Sequence, residues 1–268
     1  MRPSILIKTS ALALLAMSAF SVPAFADEDK TPPWSMADEI WGAEAMKKSR
    51  EAVQAKNGAM PNFMVMGDRL EWQDTGGDGA LVWDAQGWYG GDRNKLYIKT
   101  EGEFSLEDDE VEDAEVQALW SRAIAPFWDV QAGVRYDLEP KGRTHAVLGV
   151  QGLAPYWFEV DAAAFLSTDG DLSASVEAEY ELRFTQRIVL QPRAEIGFSA
   201  SDIPELEIGS GVTGFDAGVR LRYEIKREFA PYVGVEWQKS LGDSADFIRV
   251  GGGDPDNIVA VAGLRTWF

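Results

Sequence analysis

Residues 171–198, DLSASVEAEYELRFTQRIVLQPRAEIGF, decide the fold. Val176, Ala178, Tyr180, Leu182 and Phe184 alternate with Glu177, Glu179, Glu181 and Arg183. Past the polar pair Thr185 and Gln186 the alternation resumes, with Ile188, Leu190, Ala194, Ile196 and Phe198 against Gln191, Arg193 and Glu195. A period of two belongs to β-strands, whose successive side chains point to opposite faces. Two such runs, 171–184 and 187–199, joined by two residues, make a hairpin with one apolar and one charged face. Both runs exceed the 5–6 residues usual in soluble strands and suit a tilted crossing of a bilayer.

The same alternation extends in both directions from this hairpin. Twelve segments are expected, at 62–73, 79–89, 95–105, 113–122, 126–137, 143–153, 155–167, 171–184, 187–199, 210–225, 229–240 and 257–268. Connections after even segments are short, as at GGDRN (90–94) and Thr185-Gln186. Most connections after odd segments are longer or more polar, as at LEDDEVED (106–113), around 201–209 and at 242–257. Outer-membrane barrels show this asymmetry, with short periplasmic turns and longer outside loops. In the last segment Ile258, Ala260, Ala262, Leu264, Thr266 and Phe268 share one face, so Trp267 and Phe268 read as the membrane end of a closing strand. A secreted β-sandwich would share the alternation, but not strand length, loop asymmetry and aromatic end together. The expected fold is therefore all-β: a transmembrane antiparallel up-and-down β-barrel of about 12 strands with a short N-terminal helical leader.

Upstream of the barrel the sequence changes twice. Arg2 and Lys8 precede an apolar run from Ala11 to Val22, and small residues stand at Ala24 and Ala26. That order is the pattern of a secretory signal peptide over 1–26, too short for a spanning helix of about 20 residues. Residues 27–61 read as a periplasmic leader whose helix, 35–58, stops at Asn57-Gly58. The barrel domain takes 62–268. Removing 1–26 leaves 23 basic against 44 acidic residues, a net charge of −21. Such a chain has no use for nucleic acid, whose phosphates need basic partners. It attracts cations instead. There are no cysteines, so stability must come from a closed hydrogen-bonded wall in lipid.

Assigning the charged parity to the lumen lines it with Glu101, Glu103, Glu159, Asp161, Glu177, Glu179, Glu181 and Glu195. Carboxylates in a pore select cations, or pair with Arg193, Arg220 and Arg222 as a salt-bridged filling. The one histidine, His145, shares parity with Val147, Gly149 and Gln151 and is expected to point inward near the outer mouth. Met60, Met64 and Met66 cluster at the start of the first segment. Thioether sulfur suits Cu(I), which makes these three and His145 the candidate metal ligands. Parity with Leu70 and Trp72 instead turns Met64 and Met66 toward lipid. No G-x-S-x-G motif or spaced calcium loop occurs, so no enzyme is expected.

The segments WDAQGWYGGDRNKLYIKTEGE (83–103), 149–196, AGVRLRYEIKREFAPYVGVEW (217–237) and AGLRTWF (262–268) resemble the copper resistance protein B family. The resemblance covers about residues 38–268, and IWGAEAMKKSREAVQAKNG is similar to the family's pre-barrel helix. It implies an outer-membrane barrel of a Gram-negative bacterium, reached by Sec-type export, with the copper ion as its metal. Its implied partners are outer-membrane lipid and periplasmic copper-binding proteins. Members often carry a Met- and His-rich stretch before the barrel. Here residues 27–61 hold only Met36, Met46 and Met60 and no histidine. The function expected is copper tolerance by binding or passing copper through an acidic lumen. The alternative is a plugged or scaffolding barrel.

Overall fold

The computed structural model describes residues 35–58, 60–74 and 79–268. The expected signal peptide lies outside the described residues. Of the expected helix, α1 (Ser35–Trp41) and α2 (Ala43–Val53) are two pieces. They break at Gly42, which adopts φ 86°, a conformation glycine takes without a Cβ clash. Asp38 on α1 and Arg50 on α2 pair at 2.5 Å across the break.

Thirteen strand segments follow. They are β1 (Asn62–Asp74), β2 (Ala80–Gly90), β3 (Asn94–Ser105), β4 (Glu110–Ala125), β5 (Trp128–Glu139), β6 (Arg143–Ala154), β7 (Phe158–Ser167), β8 (Leu172–Glu179), β9 (Leu182–Arg183), β10 (Ile188–Ser199), β11 (Gly211–Tyr223), β12 (Phe229–Ser240) and β13 (Asp256–Trp267). β8 and the two-residue β9 are one interrupted stave, so the wall has 12. The interruption at Tyr180 and Glu181 lies opposite Pro192 of β10. Tyr180 N donates to Pro192 O at 3.1 Å, but proline has no N–H to return a bond.

Each strand pairs antiparallel with its chain neighbours, and β1 pairs with β13 from Met66↔Trp267 to Asp74↔Ala260. The sheet thus closes on itself and leaves no edge. Val65 and Phe268 exchange two backbone hydrogen bonds, 3.1 and 2.8 Å, at the seam. Burial runs inside-out. The fully buried residues are mostly polar or charged, whereas Leu148, Val233 and Ile258 stand exposed on the outer wall. That is the arrangement of a barrel whose solvent is lipid. Tyr89, Tyr156, Trp157, Phe184 and Phe268 gather exposed rings at the short-turn end, as an interfacial girdle does.

Two connections differ from the expectation. LEDDEVED is a turn only at 106–109, because β4 begins at Glu110 and pairs Glu110 with Ser105 and Asp113 with Glu103. The asymmetry of the two ends rests instead on 200–210 and 241–255. The second contains α3 (Gly242–Gly251), where a polar loop was expected. α3 buries Ser244 and Ala245, and Ser244 Oγ accepts a 2.8 Å hydrogen bond from Gly209 N. At the same end Lys141 pairs with Glu205 and holds that exposed carboxyl below its usual range. The loop end is the outer face and the turn end the periplasmic face.

Candidate functional site: the barrel lumen

The lumen is shaped first by an irregularity in β1. On the β2 side Gly67 pairs with Ala85 and Arg69 with Asp84, so Asp68 is one residue too many. The β13 side slips by one residue between Gly67 and Glu71 as well. This is a β-bulge, which re-aims side chains. Below it, Phe63 and Val65 face out. Above it, Leu70 and Trp72 face out and Arg69, Glu71 and Gln73 are buried inside. Met66 and Asp68 line the interior too. The parity that turned Met64 and Met66 toward lipid with Leu70 and Trp72 therefore fails, because one inserted residue exchanges the faces.

The bulge admits Arg69 to a network whose arginines sit on β1, β10, β11 and β13. Arg220 grips Glu71 with two bonds of 3.0 and 2.8 Å and also holds Glu236. Tyr232 Oη donates to Glu71 at 2.9 Å, over Gly263, where any side chain would strike the ring. Arg193 lies 2.6 Å from both Glu177 and Glu195 and within 3.7 Å of Glu179 and Glu236. Arg222 and Arg265 share Glu181, and Arg265 Nε stands 2.7 Å from Asp68. Arg69 Nη2 meets Glu101 at 2.5 Å, with its Nε 3.5 Å from Asp84. In a low-dielectric interior such charges are tolerable only when paired and hydrogen-bonded.

The β2–β8 side fills less completely. Tyr97, Leu119, Val147 and Phe165 form a small apolar cluster that points inward, and the Arg135 guanidinium lies 5.0 Å from the Phe165 ring centre. Beside the cluster is a cavity of about 290 Å³, reaching from Met66 and Asp68 to Glu159 and Asp161. Its carboxylates far outnumber its bases, Lys99 and Arg265. Lys99 pairs with Asp161 at 2.6 Å. A second cavity of about 240 Å³ opens toward the loop end, walled by Glu103, Asp113, Asp216 and Gln238. Glu101 and Glu195 belong to both.

The eight acidic residues singled out from the sequence all project into the barrel. Glu101, Glu103, Glu159, Asp161, Glu177, Glu179 and Glu195 line the cavities, and Glu181 sits in the arginine network. The four candidate ligands are not brought together. Met60 is exposed ahead of β1, Met64 is half-buried, and Met66 Sδ takes the Arg265 guanidinium at 3.6 Å. His145 is buried on β6, with Nε2 2.9 Å from Asp137 Oδ2 and Nδ1 unpartnered. Among the described residues no three His, Cys, Asp or Glu side chains assemble a metal-holding group. A guanidinium on the Met66 thioether also repels a cation, so these residues do not fit a resident copper centre. The bulge and Arg69 were missed because a single inserted residue leaves no compositional mark.

The family described as copper resistance protein B precursor matches residues 62–268. A copper resistance protein B homolog of Pseudomonas syringae pv. tomato is 41% identical over 238 residues, covering 88% of this chain and 79% of that protein. Copper resistance protein B of Escherichia coli is 41% identical over 208 residues, covering 77% of this chain and 70% of its own. Among solved structures, the NanC porin overlays with TM-score 0.49 at 10% identity, over 76% of this chain and 99% of that one. The barrel assignment stands on the strand pairing alone. With the family match spanning the barrel from end to end and both relatives 41% identical, the chain belongs to the copper resistance protein B family.

Proposed function

We propose that this barrel serves copper tolerance by admitting copper ions as cargo to its acidic lumen and passing them across the outer membrane. The observation that carries the reading is the cavity of about 290 Å³, lined by nine carboxylates against two bases, an excess that stands even with Asp161 held by Lys99 and Glu177 and Glu179 by Arg193. Carboxylate-lined space lowers the energy of a cation and leaves an anion unwelcome. Weak, repeated contacts suit passage, since an ion held tightly would not leave. The work is binding and release without bond chemistry. Copper-binding proteins of the periplasm are the natural exchange partners at the turn end.

The second reading is a scaffold whose lumen is plugged. It is favoured by the arginine network and the Tyr97–Leu119–Val147–Phe165 cluster, which fill much of the interior. Copper accumulation in cells that carry the full chain separates the two. Passage predicts that the Glu177→Gln/Glu179→Gln/Glu181→Gln triple variant changes accumulation and tolerance, with the folded barrel still present in the outer membrane. An unchanged phenotype would leave the scaffold.

A further inference from the structure

The two cavities share Glu101 and Glu195 as walls, and along β1 their linings change over at the bulge, between Asp68 and Arg69. Met66 and Asp68, on the periplasmic side of the slip, line only the larger cavity, while Arg69 and Gln73, above it, line only the smaller one. Arg193, on β10 of the same side of the wall as β1, also lines only the smaller cavity. The shared walls, Glu101 and Glu195, are the carboxylates that these two arginines hold, each at 2.5–2.6 Å. Simple alternation from Met66 and Asp68 would have aimed Arg69 at lipid, where an arginine costs about 2–4 kcal/mol near the midplane. The bulge turns it inward, and it is 6% exposed there. Its Nε makes no hydrogen bond but lies 3.5 Å from Asp84 Oδ2, so the guanidinium is held tightly through Nη2 on Glu101 and more loosely by Asp84. Glu101 is the least enclosed member of the group, with 47% of its side chain exposed.

We propose that Arg69, held inward by the Asp68 bulge, is the constriction that divides the lumen into two chambers and limits which ions cross between them. A fixed guanidinium at a narrow point opposes cations until its own carboxylates offset it. It therefore sets both the size of the passage and its charge preference. The inference rests on the proposed lumen being an ion path, but it concerns any small ion and does not depend on copper.

The test is single-channel conductance of the full barrel in planar bilayers with potassium chloride. Arg69→Ala is expected to raise conductance at least about threefold and to shift the reversal potential toward potassium, as removal of a positive ring member does. Arg69→Gln/Glu101→Gln removes the pair together and leaves no unpaired charge between those two. It covers the case in which Arg69→Ala fails to fold, judged by heat-modifiable mobility in gels. The double variant is expected to raise conductance with a smaller shift in selectivity. Lys141→Gln, in the outer loop, is the control and should match wild type. Folded Arg69 variants with wild-type conductance and reversal potential would overturn the proposal, whether the wild type conducts freely or not at all. The copper reading fails separately, by unchanged copper accumulation in the glutamate triple variant.

Discussion

The two sides of this barrel use the same residue types in opposite ways. On β10–β13 and β1, arginines are buried among several carboxylates: Arg193 and Arg220 keep only 5% and 4% of their side chains exposed. On β2–β8, Lys99 and Arg135 beside the larger cavity are looser, at 19% and 24% exposed, although Arg143 toward the outer end of β6 is as buried as the seam arginines, and carboxylates outnumber bases along the cavity wall. One side is a structural filling that braces the closing seam. The other is an acid-lined hollow. Charge in a lumen is therefore not one property. What matters is whether each carboxylate already has its cation.

The largest expected effect breaks or upholds that contrast directly. Arg220→Ala takes from buried Glu71 the arginine that grips it, leaves Glu236 only the looser Arg193, and should cost about 3–5 kcal/mol, read from urea unfolding in lipid vesicles. Lys99→Ala removes a base facing the hollow, where water screens Asp161, and should cost less than about 1 kcal/mol. Equal losses would erase the distinction between the two sides. Next, Leu119→Ala should cost about 2–5 kcal/mol. Leu119 is 1% exposed, and its loss would show that the open side is held by its apolar cluster. Tyr232→Phe takes away one donor to Glu71 and should cost about 1.5 kcal/mol in the same assay, since Arg220 and Gln73 still serve that carboxylate. The smallest effect lies outside the membrane. Lys141→Ala should return Glu205 to the ordinary carboxylate range, followed by carbon NMR of that side chain. A depressed carboxyl stabilises the fold above its unfolded pKa and loses this as pH falls. Glu205 is fully exposed, so the unfolding midpoint should not move.

Much of the wall was legible because alternation is a local signal. The runs around Glu177–Glu179–Glu181 and Arg193–Glu195 fall on the faces that their spacing implies. What escaped was non-local or a single residue long. The Asp68 insertion flips the face of Met66 without altering composition. Pro192 breaks a strand that it does not belong to. Arg220 chooses Glu71, 149 positions away, which no short window contains. The α3 run GDSADFIRVG is as polar as a loop and is recognisable as a helix only through its packing on β11.

The pairing of β1 with β13 has a kinetic side. These strands lie at opposite ends of the barrel sequence, yet they must meet to finish the wall. Every other junction forms between chain neighbours and can zip up hairpin by hairpin. The last junction has no local nucleus, so loop-closure entropy makes it the slow event. Until it forms, β1 and β13 both present unpaired amides and carbonyls, an invitation to aggregation or to pairing with another chain. A mutation that weakens the seam should therefore lower the yield of folded protein out of proportion to its effect on the finished barrel.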